Sequence, residues 1–152
     1  MSETLTFMMG EFEAEFPVDR QYASNHMWAR AADDGVIQFG FTAYAVRLLQ
    51  DVYFLDWLIE APATLEAGRE FGSIESKKAE SALYAPITGQ LVEFNEALME
   101  DPSTINVDKY ERGWLFTMNG DSSDLIGPTD YITLLDEVWD KTQRTIKGQL
   151  NE

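Results

Sequence analysis

The chain has 152 residues, 27 acidic against 11 basic side chains, and a net charge of −16. A negative field of that size on a small protein repels phosphate backbones, so sequence-independent nucleic-acid binding is excluded. With no cysteine, disulfides, a thiol nucleophile and thiolate metal sites are excluded as well. The 45% hydrophobic and 12% aromatic content marks a globular chain, most simply one domain that buries its own core. No apolar run approaches transmembrane length, and Met1-Ser2-Glu3-Thr4 lacks the basic start of a signal peptide. No membrane association and a cytoplasmic location are therefore expected.

Residues 4–16 come first. Glu11-Phe12-Glu13-Ala14-Glu15-Phe16 alternates acid and apolar residues strictly, the pattern of a half-buried strand. With Gly10 as the turn, this piece reads as an added hairpin closed by Pro17, and residues 1–18 are assigned to an extension that decorates the body at 19–152. Met27–Arg30 and Val36–Phe41 read as strands joined across Asp33-Asp34-Gly35. Thr42 suits the N-cap of a short helix to Leu49. Val52–Ile59 is an aromatic-rich strand ended by Ala61-Pro62, and Glu66-Ala67-Gly68 is a turn. Gln90–Phe94 and Gly113–Met118 are further strands, and Glu96–Glu100 is one helical turn stopped by Asp101-Pro102. From Pro128 a final helix to about Gly148 places Ile132, Leu135, Val138 and Trp139 on one face for core packing. Lys141, Arg144 and Lys147 in its tail are favoured there by the helix dipole. Many short strands with a helical end piece suggest a small sandwich or barrel.

Between Gly68 and Gly89 lies a symmetric unit: a strand through Phe71, Ser73 and Ile74, a tight turn, and a returning strand through Leu83 and Tyr84. Its turn carries Lys77 and Lys78. An amine held at a hairpin tip projects away from the sheet, within reach of a modifying enzyme, and loop tips on rigid scaffolds are common functional sites. A solvated turn lysine would fit the same pattern.

The company of that lysine narrows the choice. Glu75-Ser76-Lys77-Lys78-Ala79, then Leu83-Tyr84-Ala85-Pro86, Thr88-Gly89 and Asn95-Glu96-Ala97-Leu98, resembles the lipoyl-attachment segment of the glycine cleavage system H-protein family. Other fragments are similar in order and spacing: Asn25-His26-Met27-Trp28, Phe39–Ala45 with Leu49-Gln50-Asp51-Val52, Asp101-Pro102, Ile105-Asn106, Gly113-Trp114-Leu115, and Asp130-Tyr131 to Leu135. The resemblance runs from Tyr22 to about Asp136. It implies a mainly β, lipoyl-type barrel-sandwich hybrid with short helices and a C-terminal helix, to which the N-terminal hairpin is added.

The resemblance also implies lipoic acid in amide linkage on Lys78, with Glu75, Ser76 and Ala79 as the attachment motif and Lys77 in a variable slot. The implied partners are glycine decarboxylase, aminomethyltransferase, dihydrolipoyl dehydrogenase and a lipoate-attaching enzyme. Glu75 and Glu80 could guide that last enzyme, and a solvated acidic turn explains them equally. His26, Met27 and Ala82 are the candidates for the cleft in which the arm rests, with packing on Trp28 expected for His26. Two family acids that hold the loaded arm's amine are replaced here by Met27 and Ala82, and the usual polar residue before Tyr44 is Ala43.

Two carrier readings follow: the H component of glycine cleavage, shuttling an aminomethyl group and reducing equivalents, or an H-like carrier serving another redox system such as sulfur oxidation. An unmodified module of degenerate fold is the third. No catalytic constellation is found: His26 is the sole histidine, no Gly-x-Ser-x-Gly accompanies it, and the acid pairs Asp33-Asp34 and Glu100-Asp101 lack metal-loop spacing. The surface acidity suits either steering toward basic partners or plain solubility.

Overall fold

The computed structural model describes residues 3–32 and 35–150, with side chains to residue 139 and at 141. Asp33 and Asp34 of the expected turn, and the side chains of Arg144 and Lys147, lie outside the described residues. The chain is mainly β. Strands β1 (Thr4–Met9) and β2 (Phe12–Pro17) form a separate antiparallel hairpin turned at Gly10, whose φ of 65° explains the glycine. A six-stranded sheet has the order β3-β4-β5-β11-β10-β7, built from β3 (Gln21–Tyr22), β4 (Met27–Ala31), β5 (Ile37–Phe41), β7 (Ala63–Leu65), β10 (Gly89–Phe94) and β11 (Phe116–Gly120). A three-stranded sheet, β6-β8-β9, comprises β6 (Val52–Trp57), β8 (Glu70–Ser76) and β9 (Glu80–Tyr84). Helices are α1 (Ala43–Leu49), α2 (Ala97–Glu100), α3 (Thr104–Val107) and α4 (Pro128–Leu150).

The two larger sheets enclose a core through Phe39, Leu55, Phe71, Ile74, Leu91 and Phe116. Aromatic stacking tightens it, with Trp57 4.3 Å from Phe94 and 5.3 Å from Phe71 between ring centroids. A second core lies on the other side of β4 and β5. There Phe7, Met9, Ala14 and Phe16 of the hairpin meet Trp28, Tyr44, Tyr131 and Leu135. Tyr22 stacks on Tyr131 at 4.7 Å, and Phe16 meets Tyr131 edge-on at 5.5 Å. The hairpin therefore closes an interior instead of merely decorating one: its Phe16 packs on the fully buried Tyr131. Strict alternation along β2 puts its acids outward and its apolar residues inward.

Strand β4 is buried on both faces for this reason. Met27 and Ala29 belong to the first core, Trp28 to the second. Gly40 in β5 makes room for the Trp28 indole, which a Cβ at that position would approach to 2.6 Å.

Two expectations are corrected. The strand placed at Gly113–Met118 runs instead over β11, because the Asp108 carbonyl accepts the Gly113 N–H at 2.9 Å. The Asn95 amide holds the Arg112 and Trp114 carbonyls at 2.9 and 2.7 Å, so this stretch is fixed as a turn. The strand Val52–Ile59 stops at Trp57: Leu58 still donates to the Phe71 carbonyl at 3.0 Å, and the chain then bends over 58–59. Short β3, β7 and α3 had no distinguishing periodicity. Elsewhere the local chemistry holds, as at Thr42, whose Oγ1 accepts the Ala45 N–H at 3.4 Å.

Candidate functional site

Lys77 and Lys78 occupy the tip between β8 and β9, exposed together with Ala79 and Glu80. Two-residue hairpin loops usually need positive φ at their centre, yet neither lysine adopts it. Ser76 supplies the missing closure. Its N–H donates to the Ala79 carbonyl at 2.8 Å, its hydroxyl donates to the same oxygen at 3.1 Å, and the Ala79 N–H donates back to that hydroxyl at 3.2 Å. The serine side chain thus stands where a main-chain carbonyl would otherwise accept, and it is buried while the lysines are not.

The tip is also held from the side. Lys77 N–H donates to the Asp51 carbonyl at 2.8 Å. Asn106 of α3 clips the residues on either side of Asp51, its amide donating to Gln50 O at 2.6 Å and its carbonyl accepting from Val52 N at 2.9 Å. Glu75 and Glu80 are direct cross-strand partners. Like charges facing across a ladder are unfavourable, so this pair is not there for stability.

Beside the tip opens a cleft of about 230 Å³, bounded by Ala79, Ser81 and Ala82 of the hairpin and by Met27, Phe41 and Leu48 opposite. Its lining carries no charged side chain. Met27 is buried, and Ala82 pairs with Ser73 across the ladder. The Asn25 amide donates to Tyr84 O at 3.1 Å across the cleft wall, while its own carbonyl oxygen is buried without a hydrogen-bond partner. His26 sits in the wall with φ 69°, its Nδ1 2.8 Å from the Tyr131 hydroxyl, which is in turn 3.0 Å from Thr42 Oγ1. Burial lowers its pKa to about 4, so the imidazole is neutral at pH 7.

The expected packing of His26 on Trp28 is not what forms. The His26 ring, on a left-handed backbone with φ 69°, lies against Tyr44 at 4.7 Å and Tyr131 at 5.8 Å. The structure brings His26, Met27, Ala79 and Ala82 to one cleft and sets Lys78 beside it, with Glu75 and Ser76 on the strand leading to the tip. Tyr131, Asn106 and Asn25 stand in the matching fragments, but the sequence assigned them no role, because their partners lie up to 105 positions away.

A chain that holds one lysine pair on a braced β-turn, next to an uncharged cleft and without a metal-binding cluster among the described residues, belongs to the class of presenting scaffolds. Comparison with known proteins makes this specific. The family described as "Glycine cleavage H-protein" matches residues 20–136. The glycine cleavage system H protein of Rubrobacter xylanophilus is 40% identical over 125 residues, covering 82% of this chain and 98% of that protein. That of Teredinibacter turnerae is 39% identical over 118 residues, covering 77% and 90%. A crystal structure of a glycine cleavage system H protein from Mycobacterium marinum superposes with a TM-score of 0.69 at 38% identity, covering 76% of this chain and 95% of that one. The chain belongs to the glycine cleavage H-protein family.

Proposed function

We propose that this protein is the lipoyl carrier of glycine cleavage and that Lys78 bears the arm. The observation that carries the reading is the placement of Lys78, exposed on a turn closed by Ser76 and directly beside an apolar cleft. The fit to a lipoyl group is chemical: an uncharged chain ending in a dithiolane suits a cleft lined by Met27, Phe41 and Leu48. When attached, that group supplies a disulfide that can be reduced, loaded and reoxidised by exchange. The chain's own residues do the rest. Ser76 and Asp51 fix the direction of the tip, and tethering raises the local concentration of the arm at a docked enzyme.

The protein then moves an aminomethyl group and reducing equivalents among glycine decarboxylase, aminomethyltransferase and dihydrolipoyl dehydrogenase, after loading by a lipoate-attaching enzyme. It acts as a carrier without an active site of its own, in the cytoplasm. Among the described residues no helix is long and apolar enough to cross a membrane. A second reading, an H-like carrier for another redox system, is favoured by one feature: Met27 and Ala82 leave the cleft without a carboxylate. Intact mass of protein from its native cell tests the attachment. One lipoyl group is expected, absent in Lys78→Ala and retained in Lys77→Ala; the reverse pattern moves the site. Support of glycine decarboxylation in a reconstituted system decides between the two pathways.

A further inference from the structure

Strand β6 breaks the alternation of a half-buried strand. Tyr53 and Phe54 both point outward, 62% and 48% exposed, between the buried Val52 and Leu55. The cause is a bulge: Val52 pairs with Ser76 and Phe54 with Glu75, which leaves Tyr53 as the extra residue. Bulges at sheet edges re-aim side chains, and β6 is an edge strand of its sheet. Two aromatic rings are thereby set side by side, on the strand that pairs with the rungs just below the Lys78 tip. Val107, 74% exposed, follows Asn106, whose side-chain carbonyl accepts from Val52 N at the start of the same strand.

Isolated exposed apolar residues are ordinary, but here a backbone irregularity groups them. Their surroundings are acidic. Asp51 precedes β6, Asp56 lies within it, and Glu75 and Glu80 flank the tip. Arg20, Arg30 and Arg112 pair with Asp19, Glu111 and Asp108, and not with these four carboxylates.

We propose that Tyr53 and Phe54 are the docking surface for the enzyme that acylates Lys78, an enzyme presenting an apolar recess bordered by basic side chains. This rests on the reading of Lys78 as the acylated residue. For acylation the Lys78 Nζ lone pair attacks the carbonyl of an activated lipoyl adenylate; the C–N amide bond forms, the C–O bond to AMP breaks, and the amine proton passes to solvent. An amine so close to its own sheet reaches a buried acyl donor only if the enzyme covers the flanking strands. The β6 flank offers the aromatic anchors that dominate interface energetics, and its acids steer a cationic face toward them.

The test is acylation of the purified, unmodified full-length protein by a lipoate–protein ligase with lipoate and ATP. Tyr53→Ser with Phe54→Ser is expected to raise KM for the protein by about tenfold, leaving kcat and the melting temperature unchanged. Val92→Ser, which removes an exposed apolar side chain from β10, is expected to change nothing. Added salt is expected to lower kcat/KM for the wild type. An unchanged KM in the double variant, with Lys78 still acylated, overturns the docking surface alone. So does a double variant that is acylated normally and fails only in later redox transfer, which assigns the rings to another partner. Absence of acylation at Lys78 in the wild type overturns the attachment reading, and the docking surface with it.

Discussion

The Nδ1 of His26 lies 2.8 Å from the hydroxyl of Tyr131, joining the turn before β4 to the C-terminal helix across 105 positions of sequence. The same hydroxyl reaches Thr42 Oγ1 at 3.0 Å, so the N-cap of α1 shares the junction. Burial lowers the His26 pKa to about 4, below the ordinary value of 6.5. The unfolded chain then binds the proton more readily than the folded one between those values. Stability from keeping this imidazole neutral is complete above pH 6.5 and is lost progressively as the pH falls toward 4. Its size is on the order of 2–3 kcal/mol. Urea unfolding of the wild type is expected to weaken over that window, and His26→Asn, which tolerates the left-handed backbone, is expected to flatten the dependence.

Ser76→Ala removes the hydroxyl that both donates to and accepts from Ala79. The Ala79 N–H is exposed and finds water, so the loss of stability is expected to be only about 1 kcal/mol. The turn, however, keeps only the main-chain bond from residue 76 N–H to Ala79 O and loses the two bonds of the hydroxyl. Acylation of Lys78 is expected to slow without disappearing, measured by the rate of lipoyl incorporation in intact mass.

Gly40→Ala puts a Cβ within 2.6 Å of the Trp28 indole. The ring cannot yield, because its Nε1 donates to Lys109 O at 2.9 Å and the Arg20 guanidinium lies over it at 4.9 Å. A loss of about 3 kcal/mol is expected in denaturant unfolding, with acylation of the folded fraction unaffected.

Met27→Glu with Ala82→Asp introduces carboxylates into the uncharged cleft. A carboxylate at the buried position 27 carries a desolvation penalty, so a loss of about 1–3 kcal/mol is expected. The same pair gives a cationic amine the charge-assisted partners that the cleft now lacks. The rate of glycine decarboxylation supported in a reconstituted system is therefore expected to rise.

The tip hairpin and the first strands were legible in the sequence because their signals are local: Gly10 with strict alternation, Thr42 before a helix, two lysines between apolar runs. The place of Lys78 at the tip was legible for the same reason, while its implied attachment came only with the resemblance. The bulge at Tyr53 was not, since Val52-Tyr53-Phe54-Leu55 reads as one continuous apolar run whether or not a residue slips out of register. The partner of His26 was equally hidden. Periodicity identified Leu135 on α4 as a core residue but gave no means of saying that Tyr131, buried on that helix, would find an imidazole. Asn95 moved a strand by three residues through two side-chain bonds, a decision made by tertiary contact and not by propensity.

The single thickness of β4 has one more implication. Met27 forms the floor of the cleft and Trp28, the very next residue, belongs to the core that the N-terminal hairpin shares on the reverse side. Floor and foundation are consecutive links of one ribbon, so reshaping Phe7 or Phe16 would be felt where an arm would come to rest. The hairpin of Thr4–Met9 and Phe12–Pro17 is in this sense the back plate of the cleft.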